Sequence, residues 1–355
     1  MCAINVTNDL LLIYNSNSYD SSNLCAYYLA HRPKIAGANV LGVACDVGEF
    51  TTSTNCDAQI VLPILNWLTN NPAKRPQYVV LFYDIPTRLT NFSNSTDYAN
   101  YGSVNYHLHI LRPDWQPFVN NINAKSLADC MAYVDKIAAF GSNYSPGKLV
   151  IGASAGGYGN TNYVLDGIRN GGPTIPPFFP YENYSGAGYV VANATNALLA
   201  AGVPPSAIFF YDGLVISNNP ASAPPPATGL TNVAGYICWG VHSSLGGDYP
   251  NNGAVQWKGN SGWWIIETVE SFNGQRNSGH GSYEKWFSPN AFGGTNYSNT
   301  PIGAVTHVEE PFLAFVEDSS KYFAPWAVGK NFAICAWNSR QTPYFQVVGD
   351  PFVIK

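Results

Sequence analysis

LLLIYNSNSYDSSNLCAYYLAHRP, residues 10 to 33, decides how the chain is read. Leu10-Leu11-Leu12-Ile13-Tyr14 is an uninterrupted apolar run of strand length, the pattern of a buried strand. The polar loop NSNSYDSS follows it. Residues 24–31 then read as a helix, stopped before Arg32-Pro33. Strand, polar loop and helix in that order form the opening of a parallel α/β unit.

The same order recurs downstream. Residues 40–44 form a second strand, and residues 60–68 a helix with Pro63 in its first turn. Residues 78–83 form a third strand, ended by Asp84-Ile85-Pro86. Residues 126–140 form an amphipathic helix with Leu127, Cys130, Met131, Val134 and Ile137 on one face. Further strands are expected at 149–151, 208–211, 234–239, 263–266, 303–306 and 345–348, and a helix at 193–201. Alternating strands and helices predict an α/β fold with a mostly parallel sheet flanked by helices on both faces. The Pro/Gly-rich stretches lie at 171–188 and 218–229. The second marks a loop or linker over 218–231, between an N-terminal region 1–217 and a C-terminal region 232–355. The two regions can also form one continuous domain.

The composition narrows the class. The 355 residues are 46% hydrophobic and 14% aromatic, which is a globular balance. Only 11% are charged, against roughly 25% in ordinary soluble domains. Asn, Ser, Thr and Tyr must therefore solvate the surface, a pattern suited to an extracellular or cell-surface protein. The net charge is −5 and there is no Lys/Arg cluster, so nucleic acid is not an expected partner. No apolar run reaches the ~18 residues of a membrane span, and the first ten residues carry no signal-peptide pattern. The seven cysteines show no C-x-x-C spacing, which argues against zinc. Cys45 and Cys56 flank a polar loop and suit a short disulfide in an oxidising compartment. No P-loop or dinucleotide fingerprint follows a strand, and no cofactor is expected.

One motif suggests a nucleophile. Gly152-Ala153-Ser154-Ala155-Gly156 matches G-x-S-x-G after an apolar run, and Asp212, His242, His280 and His307 follow in the α/β-hydrolase order. The segment GGYGNTNYVLDG after Ser154 carries three glycines in its first residues and is a poor helix start, and no oxyanion-type glycine stretch lies upstream. These residues favour a small-residue turn, with a Ser154 hydrolase as an alternative.

An ordered set of blocks carries a resemblance: YYLAHRPKIAGANVLGVAC, YVVLFYDIPTRL, AGYICWGVHSS, GAVTHVEEPFL and VVGDPF. The chain resembles a family of uncharacterised secreted bacterial proteins that share these blocks in this order. Its C-terminal half is similar, more distantly, to the gingipain and caspase-like peptidase sandwich. That resemblance implies a His strand at residues 236–242, ending in His242, and a nucleophile strand at 264–271. The nucleophile strand offers Glu270 and Ser271 and no Cys. His280 lies in Gly279-His280-Gly281-Ser282, which chain order makes a loop.

In open parallel sheets, function gathers beyond the carboxyl ends of the strands. Ser16, Ser18, Asp84, Arg88, Ser154, His242, Glu267, Glu270 and Ser271 are the polar candidates there. The expected catalytic set is His242 as base for Ser271, with Glu270 or Glu267 orienting the imidazole. The expected activity is peptidase-like hydrolysis. The alternative is a non-catalytic surface protein that binds a peptide or polysaccharide, its polar groups serving only turns and strand ends.

Four other features have expectations of their own. His107-Leu108-His109 reads as a half-exposed strand with both imidazoles on one face, and no third ligand is spaced to complete a metal site. Glu309-Glu310 in a strand would point apart, which rules out a paired-carboxylate glycosidase, and the E-P element of the family the chain resembles implies that one of them caps or braces a loop. Trp257, Trp263, Trp264 and Trp286 belong to a core or, alternatively, to a carbohydrate-stacking surface. Gly349-Asp350-Pro351 reads as a turn in which Asp350 accepts backbone amides.

Overall fold

The computed structural model describes residues 5–90, 102–141, 160–166, 187–211, 230–239, 250, 253, 255–259, 261–311 and 315–355. The opening apolar run forms strand β1, Leu10–Asn15, and the helix after it spans Tyr19–His31. That helix begins five residues earlier than the apolar pattern suggests. Ser18 caps it, accepting the Ser21 amide at 3.2 Å, so the polar residues after it can enter the first turn.

The other strands are β2 Asn39–Val43, β3 Phe50–Thr51, β4 Tyr78–Phe82, β5 Arg88–Leu89, β6 Gly102–Ser103 and β7 Phe118–Ile122. They continue with β8 Asn162–Asp166, β9 Ile208–Tyr211, β10 Val233–Trp239, β11 Ile265–Val269, β12 Gly303–His307 and β13 Phe345–Gly349. Ten of these form one sheet in the order β2-β1-β4-β7-β13-β12-β11-β10-β8-β9. The short β3, β5 and β6 form a separate sheet beside it. The β2-β1-β4-β7 block is parallel throughout, as is the β12-β11-β10-β8-β9 block. β13 runs antiparallel to β12, with Val305 opposite Val347, and meets β7 where Val348 lies opposite Asn121. The expected α/β fold with a mostly parallel sheet is therefore the fold observed.

Burial explains the strand sequences. Leu10, Leu11, Leu12 and Ile13 are fully buried, as are Val79 and Val80 in the neighbouring β4. Strands covered on both faces need apolar side chains at every position. β2 lies at the sheet edge, where Val40 is exposed. Gly303 admits the helix Phe332–Ser339 against the sheet: a Cβ there would sit 2.4 Å from the Phe332 ring.

The four tryptophans are core residues. Trp257, Trp263, Trp264 and Trp286 are essentially inaccessible. Trp264 packs edge-on to Phe292 with ring centroids 4.8 Å apart, and Trp257 lies 5.7 Å from Trp264. No stacking surface for a sugar remains on them.

Two further expectations are corrected. Residues Val104–His109 form a helix, not a strand. Ser103 caps it by accepting the Tyr106 amide at 2.9 Å. Residues two apart on a helix face differently, and the two imidazoles separate accordingly. His107 Nε2 meets Asp57 at 2.8 Å, whereas His109 Nδ1 meets the Pro117 carbonyl at 2.8 Å and stacks on Trp337. Cys45 and Cys56 are buried free thiols. Burial pushes both up to about 12, so they stay protonated and inert.

Asp350 anchors the turn after β13. It accepts the Phe352 amide at 2.7 Å, as its turn position predicts. It also holds the Arg32 guanidinium and the Tyr28 hydroxyl. Among the described residues no helix is long and apolar enough to cross a membrane.

Candidate functional site at the carboxyl edge

The loops after β1, β2, β4, β7, β11 and β12 converge on one edge of the sheet. Asn15, at the end of β1, donates from Nδ2 to the carbonyls of Asp46 (3.0 Å) and Asp84 (2.8 Å). Ser18 Oγ donates to Asp84 Oδ2 at 2.7 Å. The structure thus brings Ser18 and Asp84 together, and both have structural work: Ser18 caps a helix and Asp84 sits at φ 66° in the left-handed region. The Ser16 amide donates to the Val43 carbonyl at 2.8 Å.

Residues 270–282, after β11, form a loop that spans this edge. The Arg276 amide donates to Glu49 Oε1 at 3.0 Å, and its Nη2 donates to Asn123 Oδ1 at 2.7 Å. Its guanidinium lies 4.7 Å from the centre of the Tyr83 ring. Gln275 Nε2 donates to the Val308 carbonyl at 2.6 Å. Close by, Arg88 grips Glu309 through Nε (2.6 Å) and Nη2 (2.5 Å). Glu309 is the loop brace expected of this carboxylate pair, and it lies past the end of β12 rather than within a strand.

The same loop holds the candidate catalytic groups. Glu270 is buried, and its Oε1 meets His280 Nδ1 at 3.0 Å. The Phe272 ring stands edge-on to the imidazole, with centroids 5.4 Å apart. Ser271 is 4% exposed, and its hydroxyl has no hydrogen-bond partner among the described residues. Phe272 (φ 57°) and Asn277 (φ 55°) both lie in the left-handed region. Such conformations cost energy and cluster at functional sites. Glu270 is expected to orient the imidazole of His242; among the described residues the imidazole that meets it is that of His280, ten residues on. Chain order placed His280 in a loop, and nothing in its spacing showed that the loop turns back onto β11. His242, Ser154 and Asp212 lie outside the described residues.

Glu267 serves elsewhere. It is fully buried and accepts Ser319 Oγ at 2.8 Å. Beside it, His307 Nε2 lies 3.1 Å from Glu317 Oε1, with both side chains closed to solvent. Burial, reinforced by Glu317, holds Glu267 well above the usual carboxylate range. Burial pushes Glu317 up to about 8 and His307 down to about 4. All three groups therefore favour their neutral forms. Among the described residues no group of His, Cys, Asp and Glu is arranged to hold a metal ion.

No protein-family model matches the sequence, and no curated protein matches it. The structure is similar to a solved structure titled "Structure of Protease", with a TM-score of 0.52 and 10% sequence identity. The match covers 99% of this chain and 79% of the other. At that identity the likeness is one of fold, and the fold it shares is that of a structure titled as a protease.

Proposed function

We propose that the protein is a peptidase-like hydrolase acting at the carboxyl edge of its sheet, outside the cell. The observation that carries this reading is the contact between His280 Nδ1 and the buried Glu270 carboxylate, in the residue adjoining Ser271. A carboxylate on Nδ1 fixes the tautomer and leaves Nε2 as the basic nitrogen. In the proposed reaction Ser271 Oγ attacks a substrate carbonyl and its proton passes to an imidazole. That imidazolium, stabilised by Glu270, then protonates the leaving amine. His280 supplies the imidazole in this reading, and His242 is the second candidate. The fold shared with a structure titled as a protease supports the reaction class. The low charge of the chain supports the extracellular setting.

A fluorophosphonate probe followed by peptide mapping tests the assignment. An adduct on Ser271, absent after His280→Gln, supports the proposed site. Loss after His242→Gln instead moves the base to His242. An adduct on Ser154 favours the α/β-hydrolase alternative. The burial of Ser271 favours a second reading, a scaffold that binds without chemistry, and that reading predicts no adduct.

A further inference from the structure

The small sheet beside the candidate site has one covered side and one open side. Its order is β3-β5-β6. The β6 side is covered, because the Ser103 amide donates to the Pro343 carbonyl at 3.1 Å. No described strand pairs with the other side of β3. On the β5 side, the Glu49 carbonyl accepts the Arg88 amide at 3.1 Å and the Thr51 carbonyl accepts the Thr90 amide at 2.8 Å. Successive peptide groups of a strand point to opposite sides, so the N–H and C=O of Phe50 face away from β5. Phe50 is 57% exposed, as is Val47 three residues before it. Phe50 lies opposite Arg88 in the parallel register, and residues in register share a face of the sheet. The Phe50 ring therefore stands on the face that carries the Arg88–Glu309 pair, while Thr51 and Leu89 turn to the buried face.

We propose that this sheet docks an extended peptide: a segment of the substrate adds to the open side of β3, pairs its main chain with the Phe50 N–H and C=O, and lays an apolar side chain against Phe50 and Val47. That the docked peptide is a substrate rests on the hydrolase reading; the docking itself does not. Edge strands are ordinarily protected by charge or by proline. β3 carries neither, and the preceding Glu49 directs its carboxylate to the Arg276 amide. An open donor and acceptor on one edge select a peptide, whose own N–H and C=O groups match them in register. A sugar chain would engage the ring and leave the edge unpaired.

Two contacts join the docking edge to the loop that bears the candidate nucleophile. Glu49, next to Phe50, accepts the Arg276 amide at 3.0 Å, and Arg276 belongs to the loop that carries Glu270, Ser271 and His280. Arg88, opposite Phe50, grips Glu309, whose carbonyl lies 3.5 Å from the amide nitrogen of Phe272 in the same loop. A peptide held along β3 therefore lies beside that loop. Phe50 and Val47 are binding residues in this arrangement, and neither acts on the bond to be cut.

Fluorescence polarisation of short labelled peptides with the full chain carrying Ser271→Ala reads binding without turnover. Peptides with Phe, Leu or Val at the centre should bind about tenfold more tightly than the same peptides with Asp or Lys there. Phe50→Ser, a change at an exposed position, should weaken the apolar peptides by about tenfold. Methylating a peptide nitrogen removes one main-chain donor and leaves every side chain in place. A methyl scan along the peptide should therefore lose binding only at the residue that pairs with the Phe50 carbonyl, and not at its neighbours. Absence of peptide binding, binding indifferent to Phe50→Ser, or binding indifferent to methylation at every position overturns the proposal. Retention on a polysaccharide that Phe50→Ser abolishes, with no peptide bound, also overturns it and makes the ring a sugar platform. Peptide binding that passes these tests, with no hydrolysis by wild type, rejects the hydrolase reading and leaves the docking edge standing. Hydrolysis with an unchanged KM in Phe50→Ser does the reverse.

Discussion

The Tyr28 hydroxyl lies 2.5 Å from Asp350 Oδ2, and both side chains are sealed from solvent. Arg32, the residue that caps the carboxyl end of the helix carrying Tyr28, pairs with the same carboxylate. The helix Tyr19–His31 is thereby fixed to the turn that follows the last strand. Removing one partner from a buried ion pair leaves the other charge uncompensated, at a cost of about 3–5 kcal/mol. Asp350→Asn should lower the unfolding free energy by that order in urea denaturation. A loss below about 1 kcal/mol would mean that the pair is solvated or dispensable.

Gly303→Ala should destabilise through overpacking. The added methyl would sit 2.4 Å from Phe332 Cε2, an aromatic ring that cannot move aside cheaply. The expected cost is about 1–3 kcal/mol. The double variant with Phe332→Leu should recover part of it, because the two changes share one contact. Strict additivity in thermal melts would show that the clash is relieved elsewhere.

Stability should decline as pH rises from neutral. Glu317 keeps its proton to about 8 in the folded chain, whereas an ordinary glutamate releases it near 4.5. The folded state therefore binds the extra proton, and stability falls as pH climbs through that window. His307, pushed down to about 4, works in the opposite sense. Its neutral form costs stability as pH falls from 6.5 toward 4, which offsets the Glu317 slope in that range. The net loss is steepest between pH 6.5 and 8, approaching ~1.4 kcal/mol per pH unit for each proton. Glu267, raised well above its ordinary value, adds in the same direction as Glu317. Denaturation of Glu317→Gln between pH 6 and 8.5 should show a shallower slope than wild type. Parallel slopes would contradict the assignment of the proton.

Much of the fold was legible because its signals are local. The runs at 10–14 and 78–83 are apolar throughout, and only strands covered on both faces need that. Asp350 was readable as a turn acceptor because Asp before Pro does that locally; its partners Arg32 and Tyr28, more than three hundred residues away, were not. His107-Leu108-His109 misled because three alternating residues also fit part of a helical turn, and the Ser103 cap decides between the two. At the site, Glu270 and Ser271 could be placed at the end of β11, but the return of His280 onto Glu270 depends on a loop with two left-handed non-glycine residues. The pairing of His307 with Glu317 was invisible because it is a contact made across elements.

Hydrolysis of a peptide library, read by mass spectrometry for wild type and Ser271→Ala at matched melting temperatures, tests the central claim most directly. The account predicts cleavage by wild type that falls at least a thousandfold in Ser271→Ala, as removal of an activated nucleophile requires. Cleavage by Ser271→Ala at the wild-type rate, or none by wild type, would contradict it.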